Sequence, residues 1–119
     1  MRVLIVEKEK TLQQSLFYYL EQQKNCDVFL ARSREEGMAL WKMSPFDIIL
    51  CADCLPDGSG LEMLKALRAQ RPELISILMS AQHDENLRQE AMEEGIRGYL
   101  EKPFDIRQLE EAMGVTHHP

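Results

Sequence analysis

An apolar run gives way to reactive side chains within Phe46-Asp47-Ile48-Ile49-Leu50-Cys51-Ala52-Asp53-Cys54-Leu55-Pro56-Asp57-Gly58-Ser59-Gly60. Cys51 and Cys54 stand in C-x-x-C spacing, the pattern of a dithiol redox pair or of half a thiolate metal site. A redox pair opens a helix, where the dipole lowers the thiol pKa, but here Leu55-Pro56 follows. A metal site needs two more soft ligands, and Cys26 is remote. Cys51 therefore reads as a small core residue and Cys54 as a loop residue. A thiol redox sensor through Cys51 and Cys54 stays as an alternative. Asp53 places a carboxylate between them.

The run reads as a strand buried on both faces. Pro56 and Gly58 end it, and Ser59 with Glu62 forms an S-x-x-E capping box for the next helix. In an open parallel sheet, ligands gather at the carboxyl ends of strands. Residues 51–58 are therefore the expected centre of function.

The rest of the chain supplies matching units. Val3-Leu4-Ile5-Val6 predicts a strand ending in Glu7-Lys8-Glu9, and Leu12, Leu16, Tyr19 and Leu20 recur at helical spacing. Asp27–Leu30 predicts a second strand, and Ser33 with Glu36 another capping box. Leu40 and Trp41 face the core from a helix that Pro45 ends. Leu61, Leu64 and Leu67 mark a third helix, closed by Pro72. Ile75–Ser80 is the fourth strand, Leu87 and Ala91 mark a weakly apolar fourth helix, and Gly95 is its C′ residue. Arg97–Leu100 is the fifth strand, and Asp105 with Gln108 caps the last helix. His83 reads as a polar loop residue, and His117 and His118 as tail residues.

Five βα units imply a doubly wound parallel sheet, simplest in strand order 2-1-3-4-5. Under that order Glu7, Lys8, Ala52, Asp53, Ser80 and Lys102 converge where the winding reverses. The 119 residues fit a single domain, 1–119. A net charge of −6 argues against nucleic-acid binding by this domain, because phosphate contacts need clustered Lys and Arg. No apolar run approaches a membrane span and the N-terminus has no signal-peptide pattern, so cytoplasmic residence is expected.

With these elements in place, the chain resembles a response-regulator receiver domain of two-component systems. The resemblance rests on Asp47-Ile-Ile-Leu-Cys-Ala52-Asp-Cys-Leu-Pro56-Asp-Gly-Ser-Gly60, Leu78-Met-Ser80-Ala81 and Gly98-Tyr99-Leu-Glu-Lys102-Pro103-Phe104. It implies a flavodoxin-like receiver fold and phosphoryl transfer to an aspartate. An acidic pair after the first strand and the acceptor hold Mg²⁺ through oxygen ligands, and a lysine neutralises developing charge. Ser80 matches the phosphoryl-binding hydroxyl, Tyr99 the aromatic switch, Lys102 the lysine, and Glu7 the first acidic position.

Two positions depart. Lys8 reverses the charge of the second acidic position. The acceptor lies four residues before the loop proline and five after Asp47, and both counts reach Ala52. An engineered Asp→Ala change would leave Lys8 unexplained, whereas a degenerate site accounts for both. Asp53 is the substitute acceptor to consider, although strand alternation aims it away from Ser80 and Lys102. Glu7 then faces the Lys8 and Lys102 ammoniums, and a Glu7–Lys8 ion pair is expected where the metal would sit. The expectation is a pseudo-receiver, not an enzyme. It needs no cofactor, binds Mg²⁺ weakly or not at all, and works by protein contact without aspartyl phosphorylation. A conventional receiver is the alternative. Expected partners are a histidine kinase, an output domain or another regulator, with homodimerisation through the face of helix 4, strand 5 and helix 5 (Leu87, Arg88, Tyr99, Arg107).

Overall fold

The structure, a computed structural model, describes residues 1–114; His117 and His118 lie outside the described residues. In chain order the elements are β1 (Arg2–Val6), α1 (Lys10–Glu21), β2 (Asp27–Ala31), α2 (Arg34–Met43), β3 (Ile48–Ala52), β4 (Cys54–Leu55), β5 (Gly58–Ser59), α3 (Gly60–Gln70), β6 (Ile75–Ser80), α4 (Glu85–Glu93), β7 (Gly98–Glu101) and α5 (Ile106–Met113). The five long strands form one parallel sheet in the order β2-β1-β3-β6-β7. This is the expected doubly wound order. The addition is the β4–β5 hairpin, which replaces the plain loop expected after β3.

Strand alternation divides the core between two layers. Leu4, Val6, Ile49, Cys51 and Leu78 pack with Trp41, Leu61, Leu64, Leu67 and Ala91 of α2, α3 and α4. Val3, Ile5, Ile48, Leu50 and Met79 pack with Leu16 and Leu20 of α1 and Leu109 and Met113 of α5. Every residue of β3 is buried, as expected of a central parallel strand. The register pairs Val6 with Ala31 and Cys51, and Ser80 with Glu101. The strand ends therefore lie at one sheet edge, with Glu7, Asp53, Ser80 and Lys102 just at or beyond them.

Side chains start most of the helices. Ser33, Ser59, Asp84 and Asp105 each accept an N–H from the first turn of α2, α3, α4 and α5. Only Asp105–Gln108 closes a reciprocal capping box. Glu36 turns instead to the N–H of Arg32, and Glu62 to Lys65. Asp57 makes a longer link: its two carboxylate oxygens accept the N–H groups of Arg34 at 2.8 Å and Glu35 at 2.9 Å. The anion caps α2 from the hairpin, and those bonds hold its pKa below the usual carboxylate range. Gly60 is required where the hairpin meets α3, because a Cβ there would meet the Ala52 carbonyl oxygen at 1.8 Å.

Gln13 on α1 is buried, and its amide donates to the Glu7 carbonyl at 3.1 Å and the Ala31 carbonyl at 2.9 Å. It thus ties the ends of β1 and β2 to α1. Gln13→Leu leaves the buried Glu7 carbonyl without its donor and should lower stability by about 1–3 kcal/mol, read as a shift in the urea midpoint with an unchanged slope.

Candidate functional site

At the carboxyl edge of the sheet lies a cavity of about 160 Å³, lined by Lys8, Glu9, Asp53, Cys54, Ser80 and Lys102 among others. Two larger hollows, of about 600 Å³ along the outer side of α1 and about 370 Å³ between α1 and α5, border none of these groups, whereas one of about 270 Å³ beside Leu12, Pro103 and Phe104 borders Glu9 and Lys102.

Glu7 continues the alternation of Val3 and Ile5 and is fully buried. Its Oε1 lies 2.7 Å from Lys102 Nζ, and its Oε2 accepts the Glu9 N–H at 3.0 Å. Oε1 has no directed hydrogen bond, so its contact with the ammonium is an ionic one at close range. Lys102 Nζ also reaches Glu9 Oε2 at 3.8 Å. The expected Glu7–Lys8 pair is therefore corrected: the partner of Glu7 is Lys102. Consecutive residues leaving a strand diverge, so Glu7 goes inward while Lys8 is exposed on the cavity rim.

Ala52 ends β3 and packs in the core, only 2% exposed, with its carbonyl backed against Gly60. Asp53 follows it and lines the cavity together with Ser80 and Lys102. The charges that act on Asp53 lie on the α4 side, at Asp84 and Glu90. Its pKa is raised first by burial and then by these two carboxylates. A raised carboxyl pKa means that stability falls as pH climbs from the ordinary carboxylate range through the raised value.

Ser80 is buried, and its hydroxyl both accepts the Gln82 N–H at 3.1 Å and donates to the Gln82 carbonyl at 3.2 Å. The Tyr99 hydroxyl reaches the same carbonyl at 3.5 Å. Ser80 and Tyr99, matched to the hydroxyl and switch positions, thus meet at Gln82, a residue whose side chain carries no motif. Beside it, His83 Nδ1 lies 2.8 Å from Glu101 Oε2, joining the β6–α4 connection to β7. A polar loop histidine was expected here, and its partner came from register across the sheet.

The cysteines are free thiols. Cys51 is fully buried, its Sγ directed at the Ala52 carbonyl at 3.4 Å, while Cys54 is exposed. Burial above all, then the carboxylates of Glu7 and Asp53, pushes the Cys51 thiol well up. A thiol sealed in its protonated form is a poor nucleophile.

Removing either lysine tests the correction. Lys102→Met leaves the buried Glu7 carboxylate unpaired and should cost about 3 kcal/mol, the lower end for a broken buried pair because Lys102 keeps some contact with solvent. Lys8→Met should stay within about 0.5 kcal/mol of the parent. Denaturant midpoints of the two variants give the comparison.

Residues 3–114 match the family described as the response regulator receiver domain. The response regulator protein PilR of Pseudomonas aeruginosa is 30% identical over 115 residues, 97% of this chain and 26% of that protein. The cell cycle response regulator CtrA of Brucella ovis is 32% identical over 109 residues, 92% of this chain and 47% of that protein. The chain thus spans between about a quarter and a half of these relatives. The non-phosphorylated HemR receiver domain of Leptospira biflexa superposes with a TM-score of 0.85 at 26% identity, covering 99% of this chain and 98% of that one. Fold, strand-edge site and sequence agree: the chain belongs to the response regulator receiver family of two-component signalling.

Proposed function

We propose that this receiver module signals through protein contacts without aspartyl phosphorylation. The carrying observation is the Glu7–Lys102 pair at 2.7 Å. Glu7 supplies the first acidic position, and Lys102 lies within ionic contact of it. Ala52 offers no carboxylate, and Lys8 places an ammonium where a second acidic ligand belongs. Mg²⁺ takes oxygen ligands in near-octahedral geometry, and these residues do not fit it. Among the described residues no group of three or more His, Cys, Asp or Glu side chains is placed to hold a metal ion. The site is charge-paired as it stands, which favours one conformation over two in exchange.

Incubation with a small phosphodonor and Mg²⁺ should leave the intact mass unchanged, and Mg²⁺ alone should leave the melting temperature where it was. Addition of one phosphoryl group would overturn the reading, and mapping it to Asp53 would install the conventional alternative. The double variant Lys8→Asp with Ala52→Asp should regain Mg²⁺ binding.

The partner surface we assign to this module is the face of α4, β7 and α5. It carries exposed Arg88 and Arg107 around half-buried Tyr99 and Leu87. Its partners are a second copy, a kinase or an output domain, in a cytoplasmic setting that fits the absence of any helix long and apolar enough to cross a membrane among the described residues. Tyr99→Ala and Arg107→Glu should weaken self-association measured by light scattering or crosslinking. Association at the parent level in both variants would rule this face out.

A further inference from the structure

The contacts at the two ends of α4 differ in kind. At its C-terminal end, Arg68 of α3 donates to the Glu94 carbonyl at 2.6 Å and Lys65 approaches the Glu94 carboxylate at 3.7 Å. Lysine and arginine hold these contacts charged across the physiological range. Along its length the helix fully buries only Ala91, so its own packing holds it lightly. Before its N-terminal end, the His83–Glu101 contact at 2.8 Å crosses from the β6–α4 connection to β7. Histidine changes charge between about pH 5 and 8.

We propose that His83 and Glu101 form a proton-dependent tether. When His83 is protonated, it holds the β6–α4 connection and the start of α4 against β7; when His83 is neutral, that end is freed. The tether lies beside Gln82, where the Ser80 and Tyr99 hydroxyls meet, and Asp84, the next residue after His83, caps α4. Releasing it therefore loosens the segment that carries both hydroxyl contacts.

The charged groups around His83 are Glu101 on β7 and Glu85 and Arg88 on α4. Glu101 acts most strongly, by hydrogen bond and by charge, and Glu85 adds to it. Arg88 opposes them, and the sum raises the histidine pKa. The sign follows from linkage. The pair is fully present below the ordinary histidine value and is lost as pH rises through the raised one. His83 is well exposed, so the tether biases a loosely held helix rather than locking it. The proposal does not depend on whether residue 52 or 53 can be phosphorylated, so its test contains no phosphodonor.

Amide hydrogen exchange of Gln82–Glu90, corrected for intrinsic rates, should be followed in the whole chain at about pH 6 and about pH 8, either side of the histidine range. Protection in the parent should be about two- to fivefold higher at the lower pH, the scale available to an exposed pair. Glu101→Gln and His83→Gln should each abolish that difference. The His83 ring should titrate above the ordinary histidine value and shift downward in Glu101→Gln. Equal protection at both pH values in the parent, or an unchanged ring titration in Glu101→Gln, would overturn the tether.

Discussion

A buried carboxylate must meet a positive charge, and this requirement organises the functional end of the molecule. Glu7 is fully enclosed, so an uncompensated charge there would be strongly destabilising. Lys102 answers it from beyond β7, three strands away across the sheet, and the Glu9 N–H completes the shell. Because the pair links the end of β1 to the residue after β7, it holds those two chain segments in fixed relation. Gln13 reinforces the same place from behind by grasping the Glu7 carbonyl.

That arrangement changes what position 52 can do. In a cluster of carboxylates, repulsion leaves room for a cation to be the missing partner. Here alanine lies packed in the core and Lys8 stands at the rim, so Lys102, just after β7, meets the one acid fully buried among the described residues. Asp53 remains at the cavity, but burial and the α4 carboxylates work against its charge. Glu7 and Lys102 therefore answer each other within the pocket, and α4, which fully buries only Ala91, is packed lightly beside them.

The strand and helix order was legible because each unit carries its own signals. Examples are a β-branched run at Val3–Val6, capping serines at 33 and 59, and a reciprocal box at Asp105–Gln108. Glycines also confirmed their turn role, with Gly95 adopting a positive φ just past α4. Contacts between distant segments were less legible. Nothing local in Asp57 says that it will cap α2, and nothing in Gln13 says that it will bridge two strands. The partner of Glu7 could have been found, because alternation at the strand end separates Lys8 from Glu7, although the same alternation applied to Asp53 did not keep it out of the cavity that Ser80 and Lys102 line. The His83–Glu101 contact needed the register of β6 against β7, which follows only once the sheet is assembled.

The clamp at Glu94 has a mechanical consequence. It makes α4 a lever whose fulcrum is the α3 surface. Counting from Asp84 to Glu94 at 1.5 Å per residue, the arm is roughly 15 Å long. A swing of about 10° about the fixed end would carry the free end through roughly 2.6 Å by that geometry. A displacement of that size is invisible to the helix's own hydrogen bonds and large to any surface fitted against Arg88 or Tyr99. Pivoting at that salt-bridged end would turn a small angular change into a readable change in surface shape, in a helix short enough to move as one piece.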